Sequence, residues 1–304
     1  MRFANFHAMS HLVTWRHARG SLVIDHPIVV GILNVTPDSF SDGGQLSTVD
    51  QALDRANEMV AAGADVLDVG GESTRPQGAS VVNLDEELRR VIPVIESLAR
   101  NLPKTPISVD TSKSVVAERA LVAGAAIVND VSALRLDPRM GAVGAAAGAG
   151  VVLMHSRGGV SDMATYTHAV YDSVVDDVVR ELGDRIQAAL AAGVSSESIV
   201  VDPGIGFSKR GEHSLAMISG LSRIVALGYP VLVGASRKRF IGELTGESVP
   251  ATRVIGTVAV HLMALERGAR LFRVHDVKAN RQALDVAWAV MSAAPVAAPA
   301  GRGA

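Results

Sequence analysis

The stretch ISVDTSKSVVAERALVAGAAIVND, residues 107–130, contains the unit from which the rest of the chain is built. A short run with β-branched residues closes on Asp110, an amphipathic segment follows, Gly124 punctuates its end, and a second run from Ile127 closes on Asn129. Working outward, the same unit recurs. Apolar runs cover residues 28–35, 66–70, 107–110, 127–131, 151–155, 199–202, 231–234 and 271–275, and each ends in or beside a polar group: Asn34, Asp68, Asp110, Asn129, His155, Asp202, Ser236 with Lys238, and Arg273 with His275. The clearest helical segments are 83–101, opened by Asp85, Glu86 and Glu87, and 171–192, where Val174, Val175, Val178, Leu182 and Ile186 repeat at helical spacing. Eight β-then-α units in order predict an α/β fold, a (β/α)8 TIM barrel of eight parallel strands with its active site at their C-terminal ends. An open, doubly wound sheet is the other arrangement such a pattern permits.

Composition agrees with a barrel. The chain has 304 residues, 48% of them apolar and only 4% aromatic, which suits small-residue helices on Val-rich strands. A net charge of −2 provides no field for nucleic acid or a membrane surface, so small molecules are the expected partners. Cysteine is absent, which excludes disulfides, thiolate metal sites and cysteine nucleophiles. No stretch near the start resembles a signal peptide, and a cytoplasmic location is expected. Residues 1–20 read as an N-terminal extension, 21–294 as the barrel, and the Ala/Pro/Gly-rich 295–304 as a flexible tail.

The strand ends suggest chemistry. Asn34 leads into a hydroxyl- and carboxylate-rich loop ending at Gly43 and Gly44, whose hard oxygens point to Mg2+ rather than zinc if a metal binds. Arg75, between a hydroxyl and Pro76, suits phosphate or carboxylate recognition, or is a solvated surface arginine. Asp110, Asn129 and Asp202 together make a cage for a flat heterocycle with adjacent N–H donors, although Asp110 could instead cap the next helix. Lys238, Arg273 and His275 follow the last two runs, where barrels often hold an anion, while Arg239 reads as a solvated helix end. Asp68 and His155 share the pattern but read as structural.

The stretches GILNVTPDSFSDGG (31–44), GGESTRP (70–76), SVDT (108–111), ND (129–130), DPGIGF (202–207), SRK (236–238) and RVHDV (273–277) resemble, in order, those of the dihydropteroate synthase family of folate biosynthesis. The resemblance runs from about residue 20 to residue 294. It implies joining of 6-hydroxymethyl-7,8-dihydropterin diphosphate to 4-aminobenzoate, with diphosphate released. It also implies that Asp110, Asn129, Asp202 and Lys238 hold the pterin over Met154, that Arg273 and His275 bind the diphosphate with Arg75 closing over it, and that Asn34 ligates Mg2+. Thr74, Pro76, Phe207, Lys238 and Phe40 would line the aminobenzoate pocket. Asp110, Asp202, Lys238 and Arg75 would carry the catalysis. Sulfonamides would compete with aminobenzoate, and the family's common homodimer could use Val286, Ala287, Val290 and Met291, which could equally be the inner face of the last helix. The chain departs from the family pattern at Gln77, Ser156, Ser208 and Arg239, and none of these removes a residue given a chemical role. A methyltetrahydrofolate-binding methyltransferase domain would have no use for the diphosphate clamp. A non-catalytic pterin-binding paralogue would be expected to have lost a loop motif.

Overall fold

The structure, a computed structural model, describes residues 13–35, 45–72 and 82–293. Its first two strands, β1 (Val13–His17) and β2 (Gly20–Ile24), form an antiparallel hairpin. Eight parallel strands follow: β3 (Ile28–Asn34), β4 (Val66–Gly70), β5 (Ile107–Asp110), β6 (Ile127–Asp130), β7 (Gly150–Met154), β8 (Ile199–Asp202), β9 (Leu232–Val233) and β10 (Leu271–Val274). They pair in the order β8-β7-β6-β5-β4-β3-β10-β9, and a parallel bridge between Val201 and Val231 joins the two ends. The sheet therefore closes into the expected barrel, and the open doubly wound arrangement is excluded.

Helices alternate with the barrel strands: α1 (Gln45–Ala61), α2 (Leu84–Asn101), α3 (Ser114–Ala123), α4 (Met140–Ala147), α5 (Val174–Ala191), the pair α6 (Gly211–Ser219) and α7 (Ser222–Val225), the pair α8 (Arg239–Thr245) and α9 (Val254–Glu266), and α10 (Val277–Ser292). Local chemistry accounts for the sharpest boundary. Asn83 caps α2 by accepting from the Glu86 N–H at 2.9 Å, and Asp85, Glu86 and Glu87 place negative charge at the positive end of the helix. On α5, Val174, Val178, Leu182 and Ile186 are buried, as their spacing predicts. Among the described residues, no helix is long and apolar enough to cross a membrane.

Alternation along the strands sorts side chains into two sets. Val29, Leu33, Leu67, Val69, Val109, Val128, Val151, Leu153, Val201 and Phe272 face the helices in one large cluster. Ile28, Val30, Val66, Ile127, Val152, Val200, Leu232 and Leu271 fill the barrel axis in another, together with Trp15 and Ile24 of the hairpin. Trp15 is 1% exposed, and its indole N–H donates to the Ser198 carbonyl at 2.9 Å, so the hairpin plugs the amino end of the barrel. The expected division at residue 20 falls inside this hairpin. Two residues further along several strands, the same inward face turns polar: Asp68 follows Val66, Asn129 follows Ile127, Asp202 follows Val200 and Arg273 follows Leu271.

Candidate active site

Strand register sets four rim positions level with one another. Asn34 pairs with Gly70, Gly70 with Asp110, and Asp110 with Asn129. Across the mouth from them stands Arg273 of β10. Its Nε donates to Asp68 Oδ2 and its Nη2 to Asp110 Oδ2, both at 2.6 Å, while Asn129 Nδ2 donates to the same Asp68 oxygen at 3.0 Å. Asp68, expected to be structural, is buried, and its carboxylate links two residues assigned to ligand binding. Its other oxygen, Oδ1, is buried with no hydrogen-bond partner among the described residues. Arg273, expected to serve an anion, commits part of its guanidinium to carboxylates and keeps its remaining hydrogens for other acceptors.

The capping alternative for Asp110 does not hold. Lys113 occupies the cap position of α3 without a side-chain cap bond, and the Ser114 N–H is met by Asp137 Oδ2 at 2.8 Å instead. Asp202 does have a local partner, accepting from the Gly204 N–H at 2.7 Å through Oδ1. Its Oδ2 faces the mouth, where a Cβ placed on Gly234 would lie 3.7 Å away. Gly70 and Gly234 are thus inward-facing positions with no side chain, which leaves room between Asp110, Asp202 and Arg273.

Burial dominates the electrostatics. It raises Asp110 to about 7 against the pull of Arg273, with the nearby Asp68 charge adding to the rise. It raises Asp202 to about 6, opposed by the Gly204 N–H and by Lys238, Lys209 and Arg273. Lys238 is lowered to about 8 by burial and by Arg273, with Asp202 and Asp110 opposing. Burial also works against the charge on Arg273, but Asp68 and Asp110 outweigh it and strengthen its hold on the proton. The mouth therefore holds carboxyls poised to change charge near neutral pH beside a permanent cation.

On the β8–β9 side, Lys238 Nζ sits 3.7 Å from the Phe207 ring centroid. Phe207 shares an apolar cluster with Met154, Val131, Met163 and Ala164, so Met154 packs as core and also borders the mouth. Ser236 Oγ lies 3.0 Å from His275 Nδ1, which ties the ends of β9 and β10 together. Arg239 stacks on Tyr166 at 3.8 Å and pairs with Glu243 at 3.5 Å, in keeping with a surface helix end. Ser208, one of the departures from the family pattern, has φ +47. Its hydroxyl lies 2.8 Å from the Arg157 carbonyl and 3.0 Å from that of Met163, and accepts from the Arg157 N–H at 3.0 Å, which stabilises a conformation that favours glycine. Phe40, Thr74, Arg75, Pro76 and Gln77 lie outside the described residues.

Lys209 escaped the sequence reading. It is 1% exposed, burial lowers it to about 7 with Asp202 opposing, and it bonds His155 just behind the mouth. A lysine in a Gly- and Ser-containing turn carries no periodic signal, so nothing local separates it from a solvated one.

A closed (β/α)8 barrel whose mouth sets three carboxylates and an amide against an arginine and a lysine is built to hold a polar heterocycle beside an anion. The chain belongs to the pterin-binding enzyme family, whose model matches residues 30–275. Within that family it is similar to the dihydropteroate synthase of Bacillus subtilis, 45% identical over 251 residues that cover 83% of this chain and 84% of the relative. It is also similar to a solved structure of Xanthomonas albilineans dihydropteroate synthase with 4-aminobenzoic acid, at 47% identity and a TM-score of 0.86, covering 93% of this chain and all of the other. A second structure of that enzyme, in complex with 7,8-dihydropteroate, matches at 46% identity and a TM-score of 0.81, covering 90% and 97% of the two chains.

Proposed function

We propose that this chain condenses 6-hydroxymethyl-7,8-dihydropterin diphosphate with 4-aminobenzoate to give 7,8-dihydropteroate and diphosphate. The observation that carries the reading is the constellation of Asp110, Asn129 and Asp202 facing Lys238 and Arg273 in the mouth of a barrel 47% identical to a dihydropteroate synthase. In this reading the acceptor oxygens of Asp110, Asn129 and Asp202 meet the pterin N–H groups, and Lys238 donates to its carbonyl and ring nitrogen. Met154 lies beneath the ring. Arg273 holds Asp110 in place and, with His275 and Arg75, serves the diphosphate. Thr74, Pro76, Phe40 and Phe207 border the aminobenzoate.

The reaction needs no enzyme nucleophile. As the bond from the pterin methylene to the diphosphate oxygen breaks, positive charge grows on the methylene and negative charge on the leaving group. Ionised Asp110 and Asp202 stabilise the first, and Arg273, His275 and Lys238 the second. The aminobenzoate amine then forms the new C–N bond and loses a proton. Asn34 offers a hard amide oxygen at the rim beside Gly70, suited to an Mg2+ ion held through few protein ligands and the substrate phosphates. Such an ion, when bound, supplies further positive charge beside the departing oxygens.

A homodimer is part of the proposal. Val286 and Val290 of α10 are 66% and 71% exposed and Met291 is 37% exposed, whereas Ala287 packs against the core on the side of the buried Val277, Asn280 and Leu284, so the dimer reading rests on the first three. The cytoplasm is the proposed compartment, in keeping with a chain that contains no cysteine.

Purified protein supplied with Mg2+, the pterin diphosphate and 4-aminobenzoate is expected to form 7,8-dihydropteroate. A sulfonamide is expected to raise KM for aminobenzoate and leave kcat unchanged. Absence of product, or inhibition that excess aminobenzoate does not relieve, would contradict the reading. Gly234→Leu tests the space over Asp202. Its Cβ fits at ordinary contact distance, but its further carbons enter the pterin region, so KM for the pterin substrate should rise at least about tenfold, or 1.4 kcal/mol. An unchanged KM would place the heterocycle elsewhere.

A further inference from the structure

Behind the mouth, outside the groups the reaction uses, lies a buried chain of polar residues. Lys209, between β8 and α6, directs Nζ at His155 Nδ1 (2.8 Å), the Phe207 carbonyl (3.1 Å) and the Gly204 carbonyl (3.2 Å). His155, directly after β7, places Nε2 2.9 Å from Glu181 Oε2 on α5. Glu181 also receives the guanidinium of Arg157, through Nε at 3.1 Å and through Nη2, and that guanidinium lies 4.0 Å from the Tyr171 ring centroid. A carboxylate facing Nε2 keeps the imidazole hydrogen there, which leaves Nδ1 as an acceptor. All three ammonium hydrogens of Lys209 then have acceptors, the arrangement a buried ammonium requires.

Two of those acceptors belong to the turn that builds the site. Gly204, φ +67, accepts from Lys209 and donates its N–H to Asp202. A Cβ there would lie 1.9 Å from the His155 carbonyl oxygen, so the turn is pressed against the end of β7. At its other end, Phe207 accepts from Lys209 and supports Lys238. Removing Lys209 leaves the Phe207 carbonyl and the His155 nitrogen buried without their donor, and leaves the Gly204 carbonyl with the Phe207 N–H alone, at 3.0 Å.

We propose that Lys209 is a positioning residue: anchored by His155 and Glu181, it holds the Asp202–Phe207 turn in the shape that sets both the pterin contact and the aminobenzoate wall. The inference rests on the proposed condensation for the naming of those pockets, and the geometry itself is independent of it. Lys209 is hydrogen-bonded to the site only through this turn, its charge also favours ionised Asp202, and it touches no reacting atom.

The test compares full-length wild type, Lys209→Met, His155→Leu and His155→Gln. For each, KM for both substrates, kcat, Tm and the Kd of 6-hydroxymethylpterin by calorimetry are measured. Lys209→Met is expected to raise both KM values and the pterin Kd about tenfold. His155→Leu should raise them by a smaller factor, and His155→Gln, which keeps an acceptor for Lys209, should return them to within about threefold of wild type. A purely structural role would lower Tm and the active fraction while leaving KM and Kd unchanged, and that result overturns the proposal. If Lys209→Met does not fold, equal KM and Kd values in the two His155 variants overturn it. Wild type that binds the pterin but makes no dihydropteroate would count against the condensation alone, and the Kd comparison would still decide the role of Lys209.

Discussion

Asp202→Asn should lower kcat/KM by at least about a hundredfold, on the order of 3 kcal/mol of barrier, in a protein that is no less stable than wild type. The asparagine oxygen can still accept from Gly204, so the turn keeps its internal bond. What is lost is a negative charge placed where positive charge develops. The stability effect has a definite sign. In the fold the Asp202 carboxyl is raised to about 6 from an ordinary 3.8, first by burial. Between those values the folded protein binds a proton that the unfolded chain does not, so stability from this group falls as pH rises through the window. The variant has no such loss. Its Tm should match wild type near pH 4 and exceed it above pH 7, reflecting a stability gain of at most about 3 kcal/mol. The wild-type kcat/KM should in turn fall as pH drops through about 6, where Asp202 takes up its proton. A folded variant with wild-type turnover, or a Tm difference independent of pH, would remove Asp202 from its assigned role.

Arg273→Met should be the most destabilising change at the mouth. It leaves the Asp68 and Asp110 carboxylates facing each other without the cation that bonds both at 2.6 Å. Removing one partner of a buried ion pair costs about 3–5 kcal/mol, because the remaining charge stays desolvated. In a barrel of this size that corresponds to a Tm loss of roughly 10 °C. The pair Asp68→Asn and Arg273→Met should recover part of the loss, with a coupling of about 1–3 kcal/mol in a double-mutant cycle, yet regain no activity. Strict additivity would mean that Asp68 and Arg273 do not depend on each other.

Much of the barrel could be read directly from local pattern. Each strand is a short apolar run, and β4, β5 and β8 begin and end where their composition changes. β9 is reduced to Leu232–Val233, with Val231 contributing the bridge that closes the barrel. The hairpin was not legible, because the burial of Trp15 depends on an open barrel end that exists only after the eight strands have assembled. The site divides in the same way. Asp110, Asn129 and Asp202 stand out as polar ends of apolar strands. Asp68 shares that pattern but reads only as structural until the fold brings Arg273, 205 residues away in sequence, to within 2.6 Å. His155 and Lys209 are linked by a contact across 54 residues that no local spacing reveals.

The most direct measurement follows diphosphate release from the pterin diphosphate with and without 4-aminobenzoate. One diphosphate should appear for each dihydropteroate formed, saturating in aminobenzoate and falling at least about a hundredfold in Asp202→Asn. No release from folded wild type, or release at the same rate without aminobenzoate, would contradict the assignment of this barrel mouth to the condensation.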